Sequence, residues 1–182
     1  MKRISMFVLL ALAISGTALA QAPPLDITDP TSAAPANLRA GATVIKWKPD
    51  FTYDTVKKGT NNIVCYDLSG MPEQQAVFLE CTSMGNLDRV AQNLKFQAAG
   101  DKTKTQAMLD AAEKDGSRAK PVYGSVWYHL MGSDKDHVRT HMTIAVPGAT
   151  TQTTGLPDNG KAGGVWIMNA GTTTAHLMTP GE

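Results

Sequence analysis

Residues 61–82 read NNIVCYDLSGMPEQQAVFLECT, a turn flanked by two apolar segments. The segments at 61–68 and 76–82 carry side chains that strands favour, whereas the intervening SGMPE is typical of a turn. We therefore predict a β-hairpin over this stretch. In that hairpin Cys65 lies opposite Cys81, near the Cα separation of about 5.5 Å that a disulfide adopts.

The N-terminus indicates where the protein works. Lys2 and Arg3 precede an apolar run at 6–14, and small residues follow up to Ala20. A positive start, a short apolar core and an A-x-A-like end are the three parts of a secretory signal peptide. We predict that residues 1–20 are a signal peptide, cleaved after Ala20, and that the protein is exported to the periplasm or secreted.

Export determines how the two cysteines are interpreted. In an oxidising compartment, a pair of cysteines forms a disulfide by default. The alternative is a redox-active or metal-binding thiol pair, which favours a Cys-x-x-Cys spacing that this chain lacks. The sequence therefore predicts a structural disulfide between Cys65 and Cys81, worth about 3 kcal/mol in the chain-entropy model.

The composition excludes some classes of partner. The chain has 182 residues and a formal net charge of +1, which becomes slightly negative once Lys2 and Arg3 leave with the signal peptide. A nearly neutral chain has no electrostatic reason to bind nucleic acid or an anionic membrane surface. No second apolar run is long enough to cross a bilayer. We expect a soluble mature protein without a membrane span.

The pattern of the mature chain predicts one α+β domain. Residues 21–37 are rich in Pro and Ala and are expected to form a flexible leader, so the single domain spans 38–182. Apolar residues recur at helical spacing in two central segments and alternate in the segments on either side. The predicted helices are 87–98 and 101–115; the predicted strands are 41–47, 51–57, 61–68, 76–82, 123–131, 139–146, 164–169 and 173–179. The expected sheet is mostly antiparallel, with about seven or eight strands.

In the predicted strands of the last third of the chain, several side chains that could bind a ligand fall on one face. Residues two apart in a strand share a face. If the apolar side chains of 123–131 and 139–146 pack against the helices, the opposite face carries Trp127, His129, Arg139, His141 and Thr143. Such a face is a candidate ligand surface. We name Trp127, Arg139, His141 and His176 as candidate ligand-binding residues; the alternative is that the N-terminal hairpins cover this face as a polar core.

Histidine and methionine recur together in the same region. His129-Leu130-Met131 and His176-Leu177-Met178 repeat one small pattern, and His141 adjoins Met142. Imidazole and thioether ligands together suit copper, especially Cu(I). The candidate metal ligands are His129, His141, His176 and Met178. The alternative is that the methionines fill the core and the histidines are hydrogen-bonded structural residues.

The sequence also contains the residue types of a hydrolase site. Ser125, a strand histidine and Asp134 or Asp136 could be combined as a nucleophile, base and carboxylate. No G-x-S-x-G motif supports that arrangement. His137 falls in the polar turn SDKDH and is not a candidate.

Two segments resemble a known family. Gly59-Thr60-Asn61-Asn62-Ile63-Val64-Cys65 is similar to a Gly-Thr-Asn-Gly-Trp-x-Cys segment, from which Asn62 and Ile63 depart. Ala175-His176-Leu177-Met178-Thr179-Pro180 is similar to an Ala-His-Leu-Met-x-Pro ending. The family is one of uncharacterised exported bacterial proteins. The resemblance implies export and favours His141 with His176 over His129, whose position varies in that family; it implies no activity.

Three functional hypotheses follow. The first is an exported soluble binding protein that uses a face of the C-terminal sheet, for a ligand that could be a metal such as copper. The second is a hydrolase with a histidine base. The third is an interaction or structural domain whose partner is an envelope protein. An enzyme is the less favoured class, because no specific catalytic motif is present.

Overall fold

The computed structural model describes residues 25–179. The predicted signal peptide and the first residues of the predicted leader lie outside the described part of the chain. Within it, no helix is long and apolar enough to cross a membrane.

Eight strands and four α-helices make up the domain. The strands are β1 (Thr43–Trp47), β2 (Tyr53–Lys57), β3 (Ile63–Asp67), β4 (Val77–Ser83), β5 (Val126–Gly132), β6 (Val138–Ala145), β7 (Trp166–Met168) and β8 (His176–Met178). The helices are α1 (Ala36–Arg39), α2 (Leu87–Gln97), α3 (Lys102–Asp115) and α4 (Thr151–Thr154), and short 3-10 turns lie at Pro30–Ala33, Met84–Asn86 and Gly160–Ala162.

All eight strands belong to one sheet with the order β2-β1-β3-β4-β5-β6-β8-β7. Every neighbouring pair is antiparallel except β1 and β3, which are parallel. The exception arises because β2 turns back along one edge of β1, and the chain then returns to the other edge of β1 as β3. The predicted α+β class, with a mostly antiparallel sheet and two central helices, is confirmed.

The hairpin of β3 and β4 has the register predicted for it. Cys65 lies directly opposite Cys81, with 4.0 Å between their Cα atoms, and the two form a disulfide. Its turn is tied to α3, because the Thr105 hydroxyl donates to Glu73 Oε1 at 2.6 Å. The predicted disulfide is confirmed.

The two central helices start and stop for local reasons. Asp101 caps α3 by accepting from the backbone N–H groups of Thr103 and Lys104, and Gly116 ends it with a φ of 78°. Asn86 precedes α2 but does not cap it. It is fully buried, donates to Thr82 Oγ1 and Ser125 Oγ, and accepts from the Val122 N–H. Asn86 therefore joins the start of α2 to the segment that enters β5.

The helices cover the opposite face of the sheet from the one we expected. Leu87, Val90 and Leu94 of α2 share a core with Tyr66 and Trp127 of the sheet. The expectation that the helices pack on the apolar face of β5 and β6 is therefore wrong. The physical reason is that α2 carries a polar stripe beside its apolar one, so it packs well on a sheet face that itself mixes aromatic and polar side chains.

The other sheet face is covered by the N-terminal segment. Residues 31–34 are buried, and Ala33 and Ala34 pack against Cys65, Cys81 and Leu130. Asp29 caps the 3-10 turn that they form. The flexible leader expected up to residue 37 is thus replaced, over these residues, by a packed segment. Its small side chains allow close approach to the disulfide, so a Pro- and Ala-rich composition does not prevent packing here.

Candidate ligand-binding site

A cavity of about 390 Å³ lies between the helical layer and the sheet. Its sheet side includes Glu80 of β4, Trp127 and His129 of β5, His141 and Thr143 of β6, and His176 of β8. Its helical side includes Arg89, Asn93 and Gln97 of α2, Leu109 of α3, and Arg118 from the segment after α3. A smaller cavity of about 150 Å³ shares Glu80, Asn93 and Gln97 with it.

Four polar side chains form a row across the sheet beside this cavity. Tyr66, Glu80, His129 and His141 lie opposite one another on four successive strands. The Tyr66 hydroxyl donates to Glu80 Oε1, and Glu80 Oε2 lies 2.9 Å from His129 Nε2. The rings of His129 and His141 are stacked, with their centroids 5.9 Å apart. Contact between direct cross-strand neighbours therefore links β3 to β6 through side chains.

Burial controls the protonation of the first member of this row. Tyr66 is fully buried, and burial raises the pKa of its phenol well above the usual value; the nearby charge of Glu80 and the hydrogen bond to it raise the pKa further. The phenol therefore keeps its proton and acts as a donor to Glu80.

The contact with Glu80 fixes how His129 is oriented. Because a carboxylate only accepts, His129 must donate through Nε2. The other ring nitrogen, Nδ1, is buried and has no hydrogen-bond partner among residues 25–179. In the neutral ring this nitrogen holds a lone pair, so the described residues leave one acceptor of His129 unused.

His176 is held in the opposite tautomer. Its Nδ1 lies 2.7 Å from the backbone oxygen of Thr174, so Nδ1 is the donor and Nε2 is the acceptor in the neutral ring. Burial lowers the pKa of His176 from 6.5, the bond to Thr174 opposes that change, and the charges of His129 and Arg89 lower the pKa further. His176 is accordingly neutral at pH 7.

Two arginines of the cavity are each 5% exposed. Arg89 donates through Nη1 to the Ala119 carbonyl and Thr173 Oγ1, and through Nη2 to Thr174 Oγ1. Arg118 donates to the side chains of Gln92 and Asn93. Burial lowers the pKa of Arg89 to about 10, the charge of Arg118 lowers it as well, and Glu113 opposes the change. Both side chains remain cationic at neutral pH.

Most of the predicted site residues meet at this cavity. Trp127, His129, His141 and His176 all line it. Arg139 does not: it is exposed near the far end of β6, opposite Met131. Met178 is also not among the lining residues; it pairs in the sheet with Thr143 and Trp166.

The candidate copper ligands do not form a metal-binding group. Across residues 25–179, no group of three or more His, Cys, Asp or Glu side chains is arranged to hold a metal ion. His129 and His176 each use one ring nitrogen, on Glu80 and on the Thr174 carbonyl, which metal-ligating histidines also do, so these bonds do not bear on the question. The copper hypothesis has no support in the fold.

The residues considered for a hydrolase site make other hydrogen bonds. The Ser125 hydroxyl donates to the Val122 carbonyl at 2.6 Å and accepts from Asn86. Asp134 contacts His137 Nδ1 at 2.8 Å in the exposed turn between β5 and β6. Neither Asp134 nor His137 lines the cavity.

Sequence reasoning missed Glu80, Arg89 and Arg118. Arg89, Asn93 and Gln97 recur at i, i+4 and i+8, a polar stripe adjacent to the apolar stripe of α2. That stripe was a readable indication that α2 faces something polar. Arg118 had no comparable pattern, because it lies in an irregular segment between α3 and β5.

Comparison with known proteins adds no relative. No protein-family model, curated protein or solved structure matches this chain.

Proposed function

We propose that this protein is an exported binding protein that takes a small organic molecule into the cavity between α2, α3 and the sheet. One observation carries the proposal: a cavity of about 390 Å³ in which polar groups converge beside apolar walls. Ligand pockets span about 300–1,000 Å³ and combine apolar lining with a few placed polar groups.

The apolar walls and the polar groups occupy different parts of the lining. Trp127, Leu109 and Pro121 supply apolar surface, and Trp127 also packs into the core next to α2. Glu80 and His129 hold each other in place, and Asn93 accepts from Arg118. Side chains fixed in this way before a ligand arrives lower the cost of ordering them on binding.

A binding role has more support than a hydrolytic one. The Ser125 hydroxyl is committed to Val122 and Asn86, and Asp134 is bonded to His137 in the turn between β5 and β6. Export is supported by the signal-peptide pattern of residues 1–20 and agrees with the buried Cys65–Cys81 disulfide.

The test is a thermal-shift screen of the mature protein with a panel of small organic molecules of positive, neutral and negative charge. We expect at least one class to raise the melting temperature with a saturable dependence on concentration, because a ligand that binds only the folded state stabilises it. Leu109→Trp fills the cavity and should abolish the shift. Ala111→Trp, at an exposed position of the same helix, should retain it. A panel without hits, or hits that survive Leu109→Trp, would contradict the proposal.

A further inference from the structure

We infer that the cavity selects ligands carrying a single carboxylate, which binds at Arg89 and Arg118. This inference rests on the proposed function and specifies the ligand class for the same site. It starts from the fact that two arginines, each 5% exposed, line one cavity.

The charge around these two groups is unbalanced. Glu113 is the carboxylate that acts on both arginines, and it is bonded to the backbone N–H and hydroxyl of Thr173. The carboxylate that lines the cavity, Glu80, lies on its sheet side and accepts from Tyr66 and His129. At the arginine end of the cavity two cations therefore face Glu113, which leaves one positive charge in excess at that end. Buried charge is costly without a partner, so this arrangement favours one added negative charge.

The hydrogen bonds of the arginines are also incomplete. Arg118 uses both terminal nitrogens on Gln92 and Asn93, but its Nε is buried and has no hydrogen-bond partner within residues 25–179. An unpaired buried donor is expensive and is rare in native structures. The protein thus leaves this guanidinium group short of one acceptor, and carboxylates suit the planar donor arrangement of such a group.

The excess of one charge distinguishes a carboxylate from a dianion. A carboxylate neutralises the arginine end, whereas a phosphate monoester would bring close to two negative charges near neutral pH and leave that end negative. The apolar part of the ligand would contact Trp127, Leu109 and Pro121, which line the same cavity. The expected ligand is therefore a small monocarboxylate with an apolar or aromatic body.

Three probes of similar shape test the charge requirement in the wild-type protein. They are benzoate, benzamide and benzylamine, with phenyl phosphate as the dianionic comparison. Calorimetry at pH 7.5 should rank benzoate first, by about 10- to 100-fold over benzamide, which is the usual value of a hydrogen bond to a charged group. Equal or tighter binding of benzamide, benzylamine or phenyl phosphate would overturn the inference but leave the proposed function standing.

Two variants test whether the preference for benzoate depends on Arg118. Arg118→Gln should reduce the ratio of benzoate to benzamide affinity to within a few-fold of one. Benzamide should still bind, which shows that the cavity is folded. Arg139→Gln removes an exposed arginine of β6 that does not line the cavity and should keep the full preference. An unchanged preference in Arg118→Gln would overturn the inference. If that variant does not fold, the ranking in the wild-type protein decides.

The screen separates failure of this inference from failure of the proposed function. If none of the four probes binds, the charge of the hits in the wider panel decides: singly charged anions support the inference, and neutral, cationic or dianionic hits overturn it. If the wider panel also has no hits, the proposed function fails and the inference fails with it.

Discussion

Glu80 Oε2 and His129 Nε2 face each other across β4 and β5 at 2.9 Å, in the wall of the cavity. The same carboxylate accepts from the buried hydroxyl of Tyr66, and the same imidazole stacks on His141. One contact thus connects the packed core under α2 to the region where a ligand would bind.

The tautomer of His129 should depend on Glu80. In Glu80→Gln, the side-chain amide can donate to His129 Nε2. The ring proton then moves to the buried Nδ1, which has no partner among the described residues. We expect a loss of about 1–3 kcal/mol in the free energy of unfolding, the usual cost of an unpaired buried polar group. Urea unfolding measures this loss, and nitrogen NMR of the histidine rings reports the tautomer. An unchanged tautomer would refute this interpretation of the contact.

Tyr66 should make the protein sensitive to alkali. Because burial raises the pKa of its phenol above 10.0, the folded state keeps a proton that the unfolded state loses. The stabilisation is complete below pH 10 and falls as the pH rises from there towards the pKa of the folded state. Tyr66→Phe should lower stability at neutral pH by about 1 kcal/mol and flatten the decline above pH 10. Unfolding curves at several pH values would test this; a decline as steep in Tyr66→Phe as in the wild type would count against it.

His176 should contribute to the loss of stability on acidification. Its pKa is lowered from 6.5 in the folded state, chiefly by burial, so the unfolded state binds a proton first as the pH falls. The contribution is present above pH 6.5 and declines as the pH falls towards the lower pKa of the folded state. Glu80, Arg89, Arg118, His129 and His141 line the same cavity and share this environment.

His176→Asn keeps a donor for the Thr174 carbonyl and should reduce the fall in stability between pH 7.5 and 5. His137→Asn, in the exposed turn, is the matched control. A slope that changes equally in both variants would show that the cavity environment of His176 is not responsible.

Glu113 should stabilise the arginine pair. Glu113→Gln removes the carboxylate that raises the pKa of Arg89 and Arg118, and it weakens the bonds to Thr173. We expect a loss of roughly 1–3 kcal/mol in the free energy of unfolding and, on the inference above, tighter benzoate binding because the cavity becomes more positive. Calorimetry with benzoate tests the second part, and weaker binding in a folded variant would contradict it.

The disulfide should matter more for stability than for the cavity. Cys65 and Cys81 are fully buried on the face away from the helices, under Ala33 and Ala34. A Cys65→Ala, Cys81→Ala double variant should lose about 3 kcal/mol and keep its ligand affinity. Chemical denaturation and the thermal-shift hits would measure both effects. A large loss of affinity at a temperature where the variant is folded would show that the two sheet faces are coupled.

Local patterns were enough to predict several elements. Helical spacing predicted α3, and two apolar segments around a turn predicted the register that pairs Cys65 with Cys81. Alternation correctly placed Trp127, His129 and His141 on one face. Each of these results depends on residues close in sequence, for which backbone geometry determines the arrangement.

The amino-acid sequence by itself determined the α+β class, the disulfide and the group of Trp and His side chains on one sheet face. Only the tertiary structure decided what covers that face. Period-two alternation says which residues point the same way, but the covering layer depends on long-range packing. The small Ala33 and Ala34 fit over the disulfide, whereas α2 brings Arg89 onto the Trp127 face. Arg118 joins it from an irregular segment, and no local pattern predicts that pairing.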